Sequence, residues 1–160
     1  MDDPMLKPPG ERLYLEDLHV GQRFTGAPHK LDSEQIKRFA AEYDPQPFHL
    51  SDEGAANSMF GTLAASGWHT MALTMRMLVE SVPLADGLIG ASTEVAWPRP
   101  TRPGMTLQVL SEIIDITPSR SKPDMAIVTM RSETRDENSE VVLIFSARMP
   151  VYKRNRRQQP

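Results

Sequence analysis

The sequence predicts an α+β protein in which an antiparallel sheet wraps around one long central helix. Three observations carry this. Residues 67–81, "GWHTMALTMRMLVES", form a long stretch without proline that is apolar on nearly every side, as a buried helix is. After it the texture changes to period two, in four successive runs rich in strand-forming residues. Before it stand only a short strand and short helices, so no other element is long enough to cover such a sheet.

Taken in order, residues 1–12 hold three prolines and read as a flexible arm. In "LYLEDLHVGQRFTG", Leu13, Leu15 and Leu18 point toward a core, and Gly21 turns the chain into a short strand. "LDSEQIKRFAAEY" starts with Asp32 or Ser33 as cap and carries Ile36, Phe39 and Ala40 at helical spacing. Pro45 ends that helix, because the residue before a proline is pushed out of helical geometry. "DEGAANS" reads as a short helix, and the long helix at 67–81 is stopped by Pro83. Its Trp68, Met71, Met75 and Leu78 make one stripe, while Leu73, Met77 and Val79 cover the rest. The strands follow as "GLIGASTEVAW", "TLQVLSEIIDI", "DMAIVTMRSETR" and "EVVLIFSARMPVY", the last two joined by the turn "DENS". A sheet wrapped around one helix is the hot-dog architecture. Residues 13–152 are expected to form it as a single domain, and 153–160 to be a basic tail that frays.

A chain of 160 residues fits one domain with a real core. Its 24% charged residues and net charge of −3 argue against nucleic-acid binding. With no cysteine, disulfides and thiolate metal sites are excluded. The acidic, proline-broken N-terminus does not read as a signal peptide, and no run nears the roughly 18 apolar residues of a membrane span. The expectation is a soluble cytoplasmic protein without a membrane partner.

Three stretches carry candidate chemistry. In "AEYDPQPFHLSD" an acid, Asp44, stands five residues before His49, with Pro45 and Pro47 between them. On an extended path the two could share one water, and a carboxylate beside an imidazole orients it for proton transfer. Spacing alone favours the plainer reading, a capped turn and a satisfied loop histidine. In "ASGWH", Ser66 and Gly67 open the long helix, where N–H groups lack internal partners and negative charge is favoured. The Gly67 N–H is then a ready oxyanion donor, or Ser66 is a plain cap. In "WPRPTRPGMTL", Arg99 and Arg102 sit on a stiff loop, where they pair phosphates or are merely solvated. Met71, Met75 and Met77 read as core, with an acyl tunnel as the other use of so adaptable a residue. Trp68 and His69 are left between the same two readings.

Together these stretches resemble the MaoC-like dehydratases, the family of the (R)-specific enoyl-CoA hydratases. The resemblance runs from about Tyr14 to Tyr152 through "YLEDLHVGQRF", "FAAEYDPQPFHLSDEGAANSMFG", "ASGWHTMAL" and "RPTRPGMTL". It implies a hot-dog fold and acyl-CoA or acyl-carrier thioester substrates. It also implies Asp44 and His49 as acid–base pair and the Gly67 N–H as oxyanion donor. Ser66, Gln46, Thr74 and Arg102 are the expected substrate contacts. The family's usual asparagine is replaced by Gln46, its histidine before the helix glycine by Ser66, and its helix serine by Met75, with Thr74 beside it. The implied reaction adds water reversibly across a 2,3-enoyl thioester, with no metal or other cofactor. A thioesterase and a non-catalytic acyl-thioester binding module are the rival readings. The exposed sheet edge of one protomer predicts a homodimer or higher homo-oligomer, and in this family the active site lies at the subunit interface.

Overall fold

The computed structural model describes residues 12–156. The arm expected at 1–12 falls outside these residues except for Arg12, as do 157–160 of the tail. After a bridge at Leu13 and a 3-10 turn at Leu15–Asp17 come strands β1 (Arg23–Thr25) and β2 (His29–Lys30). Helix α1 (Ser33–Tyr43), a 3-10 turn (Pro47–His49), α2 (Asp52–Ala55) and the long α3 (Gly67–Ser81) follow. Strands β3 (Ser92–Ala96), β4 (Thr106–Pro118), β5 (Met125–Arg135) and β6 (Val141–Tyr152) complete the order. Every strand pairing is antiparallel. The sheet runs β1-β4-β5-β6-β3, with β2 also on β4, and it is the hot-dog arrangement.

Sequence pattern explains each layer. Along β5 burial alternates residue by residue, with Ala126, Val128, Met130, Ser132 and Thr134 facing inward, as period two requires. The polar inward residues are paired: Ser132 donates to Ser111, and Thr134 meets Thr74 of α3. The "DENS" turn closes on Asp136, whose Oδ1 accepts from the N–H groups of Asn138 and Glu140. Helix α1 is held at its start by a reciprocal box in which Asp32 and Gln35 each accept from the other's N–H. Leu13, Leu15 and Leu18 do pack against the main core.

Three expectations change. Helix α3 is not buried all round. Thr70, Thr74, Met77 and Leu78 rest on the sheet, whereas Trp68 and Val79 are 60% and 58% exposed on the far side. Thr70 and Thr74 take inward positions because their hydroxyls find partners there in Thr101 and Thr134, so the inner face is part polar and Trp68 and Val79 stay outside. Strand β3 is also shorter than expected. Gly87 turns at φ 81° and residues 87–91 stay irregular, so only Ser92–Ala96 joins β6. The first tail residues do not fray. Arg154 caps Tyr14 and pairs with Asp17 at 3.0 Å, and Arg156 reaches Asp86 at 3.5 Å. No helix among the described residues is long and apolar enough to cross a membrane.

Candidate active site

Helix α1 stops at Tyr43, as Pro45 demands, and the Asp44 N–H still closes on the Ala40 carbonyl at 2.9 Å. The path beyond is not the extended one expected. Pro47 occupies the first position of a 3-10 turn, its fixed φ suiting that place, and the turn swings His49 back toward the helix end. Glycine makes this possible from below: a Cβ on Gly54 would lie 2.3 Å from the Pro47 carbonyl oxygen, so α2 can pack here only without one.

The result is a pair. Asp44 Oδ2 stands 3.3 Å from His49 Nε2, and His49 is only 5% exposed. The other ring nitrogen, Nδ1, lies 2.7 Å from the Ala64 carbonyl oxygen. A carbonyl only accepts, so Nδ1 carries the proton, and in the neutral ring Nε2 presents its lone pair on the Asp44 side. Phe48 packs edge-on to the imidazole at 4.6 Å.

Asp44 is held from three sides. Ser66 Oγ donates to Oδ2 at 2.7 Å, and Gln46 Nε2 donates to Oδ1 at 2.7 Å. Burial pushes the carboxyl up, but the two hydrogen bonds and the neighbouring imidazole outweigh it and hold it below the usual carboxylate range. Ser66 and Gln46, expected to touch substrate, thus bind the Asp44 carboxylate. The Ser66 oxygen is also the cap of α3, accepting from Trp68 N at 3.3 Å, and its one proton is spent on Asp44.

Gly67 begins α3 beside this cluster. Its N–H donates to no group among the described residues, as expected at a first helical position. Trp97 closes the outer side: its indole donates to the Gly67 carbonyl at 2.8 Å, and a Cβ on Gly67 would meet the ring at 2.9 Å. Sequence reasoning passed over Trp97, although it heads the loop that was singled out.

Two expected site residues lie elsewhere. Thr74 is fully buried, its hydroxyl spent on the Thr70 carbonyl at 2.8 Å and on Thr134 at 2.6 Å. Two helical turns after Gly67, it faces the sheet instead of the site. Arg102 does not present its terminal nitrogens to solvent for a phosphate. They donate to the carbonyls of Phe60 and Thr62, both at 2.8 Å, and to the Thr62 hydroxyl at 3.0 Å. Arg102 therefore fastens the strip that ends at Ala64, the residue fixing His49. Arg99 pairs with Glu140 at 3.0 Å. Among the described residues no three histidine or carboxylate side chains come together as metal ligands would.

Sheet, central helix and pair define the class: a hot-dog protein with a carboxylate and an imidazole at the mouth of its long helix. The chain belongs to the MaoC-like dehydratase family, matching the MaoC like domain over residues 16–134. The crystal structure of the MaoC-like dehydratase from Rhodospirillum rubrum is 55% identical, with a TM-score of 0.88 over 90% of this chain and 99% of that one. The 3-hydroxybutyryl-CoA dehydratase of Methylorubrum extorquens is 31% identical over 143 residues, 89% of this chain and 86% of the relative. The R-hydratase PhaJ1 of Pseudomonas aeruginosa shares the fold, with a TM-score of 0.71 at 21% identity over 93% of this chain and 94% of that one. The family includes hydratases and dehydratases, and hydro-lyase chemistry is its common class.

Proposed function

We propose that this protein adds water reversibly across the double bond of a 2,3-enoyl thioester, in the dehydration direction releasing it from a 3-hydroxyacyl thioester. The observation that carries the reading is the Asp44–His49 contact of 3.3 Å beside an N–H of Gly67 that has no partner among the described residues. Asp44 Oδ2 and the His49 Nε2 lone pair both accept, so a water between them donates to each and turns its own lone pair outward. In hydration that oxygen bonds to the β-carbon while His49 takes its proton. The carbon–carbon π electrons move to the α-carbon and on to the thioester oxygen, where Gly67 N–H stabilises the charge. The imidazolium, steadied by the Asp44 carboxylate, then gives a proton back at the α-carbon. The 31% identical 3-hydroxybutyryl-CoA dehydratase supports a CoA thioester as the substrate form. No cofactor enters the scheme.

The working unit is a homodimer on this reading. The exposed Trp68 and Val79 of α3 and the outer edge of β3, unpaired among the described residues, offer the surface a second copy would cover. Light scattering on the purified chain should give twice the 18.0 kDa of one protomer, and a stable monomer would refute it.

Crotonyl-CoA is the direct test. Loss of the conjugated-enone absorbance without appearance of free thiol supports hydration. Thiol release without hydration would make the protein a thioesterase. Binding with neither would make it a carrier of acyl thioesters. Asp44→Asn and His49→Gln should each abolish hydration, and turnover surviving both would remove the pair from the mechanism.

A further inference from the structure

On the other flank of α3, a second group of polar side chains has no part in this chemistry. His69, Leu73 and Arg76 lie at helical spacing on that flank and face α1 and β2 across a cleft of about 250 Å³. His29, Gln35 and Arg38 stand opposite, and Asp44, His49 and Gly67 do not line the cleft. Two of the lining residues each carry a buried nitrogen, His29 Nε2 and His69 Nδ1, with no hydrogen-bond partner among the described residues. His69 is 7% exposed, and its ring is stacked flat on Phe39 at 4.6 Å and 5°, so it cannot turn away to find one. One such orphan is uncommon in a folded protein, and two in one cleft call for a shared partner.

We propose that this cleft is a second binding site, for a small carboxylate or phosphate oxyanion held by His29 and His69 and neutralised by Arg38 and Arg76. Charge decides for an anion over a metal ion. Arg38 has no carboxylate partner among the described residues, and Arg76 shares Glu80 at 2.9 Å. Two arginines repel a cation, and two imidazoles alone are too few ligands for a closed metal site. The volume is below the roughly 300–1,000 Å³ of drug-sized pockets, so the ligand or the part of it bound is small.

The field in the cleft agrees. Burial first, then the charges of His29 and Arg38, push the His69 imidazole down to about 4. Glu42 and Tyr43 of α1 also line the cleft, and Glu42 is the carboxylate among its lining groups. An entering anion reverses the field and favours the imidazolium of His69. Binding therefore takes up a proton, and affinity rises as pH falls from neutral toward the free value. The inference does not depend on the hydratase reading.

The test is an NMR titration of the full chain with labelled imidazoles, using inorganic phosphate, succinate and coenzyme A separately. Saturable shifts of His29 and His69, stronger at acidic than at neutral pH and leaving His49 unmoved, are expected for at least one. The tightest of the three identifies the source as free phosphate, carboxylate or nucleotide phosphate. His69→Phe keeps the stack on Phe39 and should weaken binding by about tenfold or more. Arg38→Gln, at an exposed position, should weaken it less. No saturable shift with any of the three anions, or equal affinity in both variants, overturns the proposal and leaves water as the partner of both nitrogens.

Discussion

Replacing Ser66 by alanine takes away one of the two hydrogen-bond donors that hold the Asp44 carboxylate. The bond is short, 2.7 Å, and lies in a largely buried site, so it belongs with bonds to charged groups that contribute about 1.5–3 kcal/mol. Each 1.36 kcal/mol is one pH unit of differential stabilisation. Taking the lower end, the proton affinity of Asp44 should rise enough to move the acid limb of kcat/KM upward by roughly one pH unit. The sign follows from the structure. A carboxyl held low keeps its charge as pH falls, and losing the donor makes it protonate earlier, so activity fails at higher pH. At mildly alkaline pH the variant should work nearly as well as the parent. The measurement is a pH profile of enoyl-CoA hydration for the parent, Ser66→Ala and Gln46→Met. Ser66 also caps α3, so its variant should lose about 1 kcal/mol of stability. Gln46→Met controls for this, since Gln46 is exposed, holds Asp44 from the other oxygen at 2.7 Å, and caps nothing through its side chain. If neither variant moves the acid limb, the donors do not set the charge of the pair and the reasoning fails.

Other expectations follow from the same geometry. Gly67→Ala should lower both the melting temperature and kcat, because the new methyl would meet the Trp97 ring at 2.9 Å and shift the N–H that begins α3; unchanged kinetics would remove Gly67 from the site. Arg102→Ala should cut kcat, since it frees the Phe60–Leu63 strip and with it the carbonyl that orients His49. A phosphate-binding arginine would instead raise KM alone, and steady-state kinetics separates the two. Thr74→Val should cost about 1–3 kcal/mol in urea unfolding by leaving Thr134 without its partner, with KM unaltered.

Most of the sheet and both main helices could be read from pattern because the signals are local. The period-two burial of β5 and the Asp32–Gln35 box each lie within a few neighbouring residues. The same holds for Asp44 and His49, which a five-residue interval with two prolines already brought near each other. What pattern does not carry is a side chain's choice between equal partners far apart. Ser66 lies 22 positions from Asp44 and could as well have turned to a ligand. Arg102 could have faced solvent, yet it closes on carbonyls 40 and 42 residues earlier. The polar inner face of α3 was misjudged for a related reason. Its threonines look like weak core residues until Thr101 and Thr134 are seen to meet them.

The chain has two tryptophans, and both stand at the mouth of the long helix. Trp68 and Trp97 meet edge to face at 5.2 Å, with the Trp97 indole bonded to the carbonyl of Gly67. All of the protein's indole emission therefore originates within one residue's reach of the proposed oxyanion donor. A thioester settling there would be visible in the unlabelled protein's own light, and stopped-flow fluorescence could time its arrival separately from the chemistry that follows.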